Sequence, residues 1–317
     1  MNSETTIAQG LHVTDESAGY DAACKRVLSE KAILARIMKS CLEEYKDCDV
    51  GDIAGKYIEG QPQVSAVPVL PDEGGTVING MDTEDKSVRE GTVSYDIRFR
   101  AVVPSSEEQI ALIINVEAQN DFYPGYPLIK RGIYYCCRMI SSQYGTEFVH
   151  QEYDKIKKVY SIWLCAEPPK NRQNTITRYV MQEENIIGDV AEKREDYDLL
   201  TAVMICLGPE EEEKCQGVLK LLEVPLSSEK AAEEKTKVLS EEFDITMTEI
   251  LEGGIYEMCN LSKGVEQKGF QRGVEQGMLL AIQSLMKNKN LTAEEAMTDL
   301  GIEGAERSMY AEKLKMN

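Results

Sequence analysis

Asp96, Glu117 and Gln119 are the residues whose types and spacing suit chemistry. Side chains two apart on a strand face the same way, about 6 to 7 Å from one another. Asn115, Glu117 and Gln119 therefore share one face of the apolar segment Ile110 to Gln119, with Ile114, Val116 and Ala118 on the other. Asp96 falls on the polar side of the preceding segment, Val93 to Val103, which alternates cleanly. Two carboxylates on adjacent strands repel unless a cation lies between them, and the economical one is a hard divalent ion with oxygen ligands. Magnesium, or manganese in its place, would polarise a phosphoryl oxygen and help generate hydroxide from water, which is the chemistry of phosphodiester hydrolysis. With only two histidines, His12 and His150, mechanisms built on a Ser-His-Asp or Cys-His pair have little to draw on.

The flanking segments must position these groups. Leu34, Ile37, Met38, Cys41, Leu42 and Tyr45 recur at helical steps, with Ser29 as the expected N-cap and Glu30 at the start of the buried stripe. Val93 to Val103 reads as a half-buried strand and Pro104 to Glu108 as a polar turn. Ile110 to Gln119 reads as a central strand antiparallel to the first. After Pro124 and Pro127 a helix is expected to about Tyr144, with Ile129, Ile133, Cys136 and Ile140 on its apolar side. Lys130, Tyr134 and Arg138 stand at i, i+4 and i+8 of the same helix, with Arg131 beside them. Val159 to Ala166 is a buried strand stopped by Pro168-Pro169, and 177–187 and 199–207 extend or cover the sheet. The expected class is α/β or α+β, a central mixed sheet flanked by helices and followed by an α-helical C-terminal region.

An Asp on one strand and Glu-x-Lys or a variant on the next, between two helices, resembles the pattern of the PD-(D/E)xK nucleases. The blocks Tyr95 to Phe99, Ile114 to Gln119, Tyr126 to Arg131 and Tyr160 to Cys165 are similar to the PD-(D/E)xK nuclease family transposases, relatives of the recombination-promoting nucleases. The tail from Met258 to Leu261 through Gly264, Gly269, Gly273 and Gly277 is similar too. The resemblance implies a restriction-endonuclease-like core, DNA as partner and Mg²⁺ or Mn²⁺ as cofactor. It implies Asp96 and Glu117 as metal ligands, the Ala118 carbonyl in the same shell, and Glu30 as an extra metal contact. Gln119 stands where many members have Lys, so it can orient by hydrogen bonds but supplies no charge. Lys130, Arg131 and Arg138 are the candidates to make up that charge at the phosphate.

Composition bounds these expectations. The chain has 317 residues, with 35 basic against 55 acidic groups and a net charge of -20. That balance disfavours broad electrostatic attraction to nucleic acid. Residues 1–180 hold 20 basic and 26 acidic groups and 181–317 hold 15 and 29, so the acidity gathers toward the C-terminus. The expected division is a disordered lead-in over 1–20, a nuclease-like domain over 21–208 and an acidic helical region over 209–317. That last region carries a Gly-spaced helix and a small terminal helical module. Nine cysteines without a Cys-x-x-Cys pair, no signal-like start and no apolar run near 20 residues imply a cytoplasmic protein without a membrane span. Cutting both strands calls for two active sites, which a homodimer would provide. Two rivals to a magnesium-dependent endonuclease stay open: a catalytically weak descendant that binds nucleic acid or protein, and a regulator whose C-terminal helices hold the target.

Overall fold

A computed structural model describes the backbone at residues 18–64, 84–87, 91–94, 96–104, 109–117, 122, 125–210, 212–227 and 229–316. Side chains are described over the same ranges except 84–94, 109–117, 262–273, 305 and 315–316. The lead-in as far as residue 17, the Gly- and Pro-rich stretch beyond Val64, the turn at 105–108, and Ala118 and Gln119 lie outside the described residues.

The chain opens with helix α1 (18–28) and α2 (Lys31–Cys41), joined by a two-residue break. Because the chain is already helical before the break, Glu30 rather than Ser29 takes the N-cap position of α2, and the Ser29 hydroxyl donates to the Arg26 carbonyl. A one-turn α3 (Val50–Asp52), capped by Asp49, runs into a π turn (Ile53–Tyr57). Strands β1 (Gln63–Val64), β2 (Glu84–Ser87), β3 (Gly91–Ser94), β4 (Ile97–Val102) and β5 (Gln109–Glu117) follow. Next come α4 (Leu128–Ser141), β6 (Val159–Cys165), β7 (Thr175–Val180), α5 (Arg194–Tyr197) and β8 (Leu200–Cys206). The remaining elements are α6 (Val218–Leu226), α7 (Ala232–Glu241), α8 (Glu249–Lys289), α9 (Ala293–Asp299) and α10 (Gly304–Met316).

Six strands form a mixed sheet in the order β1-β4-β5-β6-β8-β7. β4 and β5 are antiparallel, as their short connection requires, whereas β5, β6 and β8 run parallel and β7 returns antiparallel along β8. The strand expected over Val93 to Val103 is divided. β3 pairs with β2 in a separate two-stranded sheet, the chain bends at Asp96, and β4 starts at Ile97. Within β4 the alternation holds, with Ile97, Phe99 and Ala101 buried.

β6 is buried on both faces, the property of a central parallel strand. Tyr160, Ile162 and Leu164 join a core with α1, α2, α6, α7 and the first turns of α8. Val159, Trp163 and Cys165 join another with α4. The buried side of α4 is Leu128, Gly132, Tyr135, Cys136 and Met139, and Ile133, expected inside, is exposed. The sheet selects that face through Trp163. A Cβ on Gly132 would lie 2.9 Å from the Trp163 Nε1, so only glycine lets the helix settle there.

One compact unit runs Ser17–Asn260, across the compositional break near Pro209. Leu219, Leu221, Leu222, Leu239, Leu251 and Ile255 share the core of α1 and α2 despite the acidic residues around them. Residues Leu261–Asn317 group separately. There Ile282, Ala296, Met297, Ile302 and Tyr310 form a small core, α9 starts on a Thr292–Glu295 capping box, and Gly301 turns the chain at φ +69°.

Candidate active site

Parallel strands β5, β6 and β8 end in register at Glu117, Cys165 and Cys206. β4, running the other way, begins at the same end. Its first pair is Ile97 with Ile114, and Asp96 lies at the bend just before it. Asp96 thus stands just before β4 and Glu117 at the last position of β5, both at one end of the sheet.

Asp96 is 4% exposed and accepts an ion pair from Lys25, whose Nζ is 2.8 Å from Oδ1. The same Nζ lies 2.6 Å from Oδ2 of Asp21, one helical turn before it on α1. Lys25 is itself 1% exposed. Burial alone would depress its ammonium, but the Asp96 and Asp21 carboxylates more than reverse this and hold the pKa above the ordinary lysine value. The bend before β4 brings Asp96 to this cation. Sequence reasoning passed over Asp21 and Lys25, although their spacing carries a signal: Asp21, Lys25 and Leu28 fall at i, i+4 and i+7, in line with the buried stripe of α1.

Glu30 is half-buried at the N-cap of α2 and makes no side-chain capping bond. Burial raises its carboxyl pKa, so it is a weaker anion than an exposed glutamate. On α4 the basic residues diverge. Lys130 is exposed, Arg138 is 3% exposed and donates to the Tyr134 hydroxyl at 3.3 Å. Arg131 lies over the rings of Tyr135 and Trp163 at 5.3 and 5.4 Å and donates from Nε to the Tyr135 hydroxyl at 3.0 Å. The Cys206 thiol is shifted down chiefly by its hydrogen bond with Cys165, against the opposing effect of burial.

Asp96 and Glu117 offer hard oxygen donors, the right chemistry for a divalent ion. Among the described residues no three His, Cys, Asp or Glu side chains gather as a metal-binding group, and the Glu117 side chain and Gln119 are outside them. No helix among the described residues is long and apolar enough to cross a membrane. Compared with protein-family models, curated proteins and solved structures, the chain matches none significantly.

Proposed function

We propose that the chain is a metal-dependent endonuclease of the PD-(D/E)xK type, hydrolysing DNA phosphodiester bonds in transposition or recombination. The observation that carries this reading is the antiparallel pairing of β4 with β5: Asp96 immediately precedes β4 and Glu117 ends β5, so both backbone positions stand at the carboxyl end of the parallel strands. In open α/β sheets that end is where ligands bind. The succession of helix, antiparallel strands, crossing helix α4 and parallel strand β6 supports a restriction-endonuclease-like core, in line with the sequence resemblance.

Asp96 and Glu117, with the Ala118 carbonyl, would hold Mg²⁺ or Mn²⁺, which supplies a polarised phosphoryl oxygen and water of lowered pKa. Lys25 fixes the Asp96 carboxylate from the protein side. Gln119 orients the water or a phosphate oxygen by hydrogen bonding, without adding charge. Of the three basic residues on α4, Lys130 is the exposed one and serves the phosphate, while Arg131 and Arg138 stiffen the helix around it.

The Lys25 ion pair also favours a second reading. A carboxylate whose charge is already met by an internal ammonium needs no metal, as in a nuclease fold that binds nucleic acid or protein without cutting. Nicking of supercoiled plasmid with Mg²⁺, Mn²⁺ or EDTA separates the two, using wild type and Glu117→Ala prepared identically. Metal-dependent nicking lost in the variant is expected. Equal traces from both proteins with every metal would refute the nuclease and leave the binder.

A further inference from the structure

β7 is an edge of the six-stranded sheet, and no described strand covers its outer side. Its sequence, Thr-Ile-Thr-Arg-Tyr-Val, has high β propensity and no acidic residue. Natural sheets protect such edges, because unpaired N–H and C=O groups invite another strand. Here the strand continues into an arm over 181–193 that has no regular secondary structure and is exposed throughout. Structureless connections of this length in compact domains are uncommon and usually functional or disordered.

This arm is organised by its own bonds. The Asn185 side chain donates to the Val190 carbonyl at 2.7 Å and accepts from its amide at 3.1 Å. The Glu192 amide donates to the Glu183 carboxylate at 3.2 Å. Two limbs are thereby held side by side, with Gly188 at φ +85° near the tip. The tip carries Ile186 and Ile187, which are 90% and 94% exposed. A pre-ordered arm that presents two adjacent isoleucines to water has the form of a contact awaiting its partner.

We propose that the β7 edge and this arm receive a second copy of the chain, the two β7 strands pairing antiparallel about a two-fold axis. Charge identifies the occupant. At a net charge of -20 two copies repel over most of their surfaces, but β7 lacks acidic residues. Antiparallel pairing of identical strands sets Val180 of one copy beside Thr175 of the other. The arm leaving Val180 then runs past the other copy's Lys170–Arg172 turn. Between 181 and 192 the arm has four acidic and no basic residues, whereas the turn has two basic and no acidic ones. The contact is self-complementary and occurs twice, as an isologous dimer requires. Its main-chain part is strand addition at a sheet edge. The dimer does not depend on whether the carboxyl end of the sheet cleaves DNA.

Sedimentation of the full chain tests this, with a mass twice 35.5 kDa expected. Glu184→Lys and Lys170→Glu alter exposed side chains outside the bonds that order the arm, and each should weaken the dimer by at least tenfold with melting temperatures of the monomers unchanged. An equimolar mixture of the two variants should restore dimers, since the mixed pair keeps one native arm–turn contact and in the other sets the two substituted charges, now opposite, against each other. Ile186→Asp/Ile187→Asp should weaken it by a similar factor. A wild-type chain that stays monomeric well above micromolar concentration would overturn the proposal. So would a dimer indifferent to these substitutions, or a mixture that fails to reassociate.

Discussion

Replacing Lys25 by Met would remove the cation that two carboxylates share while keeping most of the side-chain volume. Nζ lies 2.6 Å from Asp21 and 2.8 Å from Asp96, so one substitution breaks both contacts. Asp96 is almost wholly enclosed, whereas the Asp21 side chain keeps 22% of its surface in water and can be partly hydrated. The cost therefore comes mainly from Asp96. Leaving one such charge buried without its partner costs about 3 to 5 kcal/mol. For a unit of this size each kcal/mol moves the melting temperature by about 2 to 4 °C, so a fall of roughly 6 to 20 °C is expected. Thermal melting followed by circular dichroism would measure it, with urea unfolding as a check that the m-value is unchanged. The triple variant Asp21→Asn/Lys25→Met/Asp96→Asn should recover more than half of the loss, because no charge is then stranded. The pH dependence has a definite sign. The native pKa of Lys25 is raised, so its contribution is fully present below the unfolded lysine value of 10.5. It is lost as pH rises from there through the higher native value. The gap between wild type and Lys25→Met should accordingly persist from neutrality to about pH 10.5 and narrow above it. A melting shift under about 2 °C, less than 1 kcal/mol, would refute the reasoning.

Two further predictions concern packing and acid stability. Gly132→Ala should destabilise the Ser17–Asn260 unit by about 1 to 3 kcal/mol in urea titration, because the added Cβ would lie 2.9 Å from the Trp163 Nε1. The helix-propensity gain of about 1 kcal/mol then fails to compensate, and a stabilised variant would show that α4 slides freely on the sheet. Burial pushes the Glu44 carboxyl up, but the Tyr160 hydroxyl at 2.5 Å and Lys158 at 3.0 Å more than offset this and hold it below the ordinary 4.5. Its depressed native pKa contributes stability above the unfolded value that is lost as pH falls through the lower one, so Glu44→Gln should flatten the stability profile below about pH 4.5. An unchanged acid limb would exclude Glu44 as its source.

Local pattern alone determined much of the scaffold. The period-two alternation at Ile97, Phe99 and Ala101 and the helical spacing from Leu34 to Cys41 each reflect one side of an element facing an apolar neighbour, and the continuous apolar run at 159–165 reflects a strand buried on both faces. The Thr292–Glu295 signature of α9 is likewise a bargain struck within four residues. Tertiary structure decided what depended on distant partners. Which face of α4 turns inward was set by Trp163 meeting Gly132, so Ile133 went to solvent although its spacing suited burial. The strand expected through residue 96 was broken where Asp96 meets Lys25, a residue 71 positions earlier. Acidic composition likewise concealed that α6, α7 and the start of α8 lie against the sheet domain, because burial is decided by a few leucines on one face and not by the average of a segment. The candidate carboxylates, by contrast, were legible as types and spacing. The spacing that puts Lys25 on the buried stripe of α1 was legible too, but its pairing with Asp96 was not, because an ion pair between remote segments has no period in the sequence and appears only once the chain has folded around it.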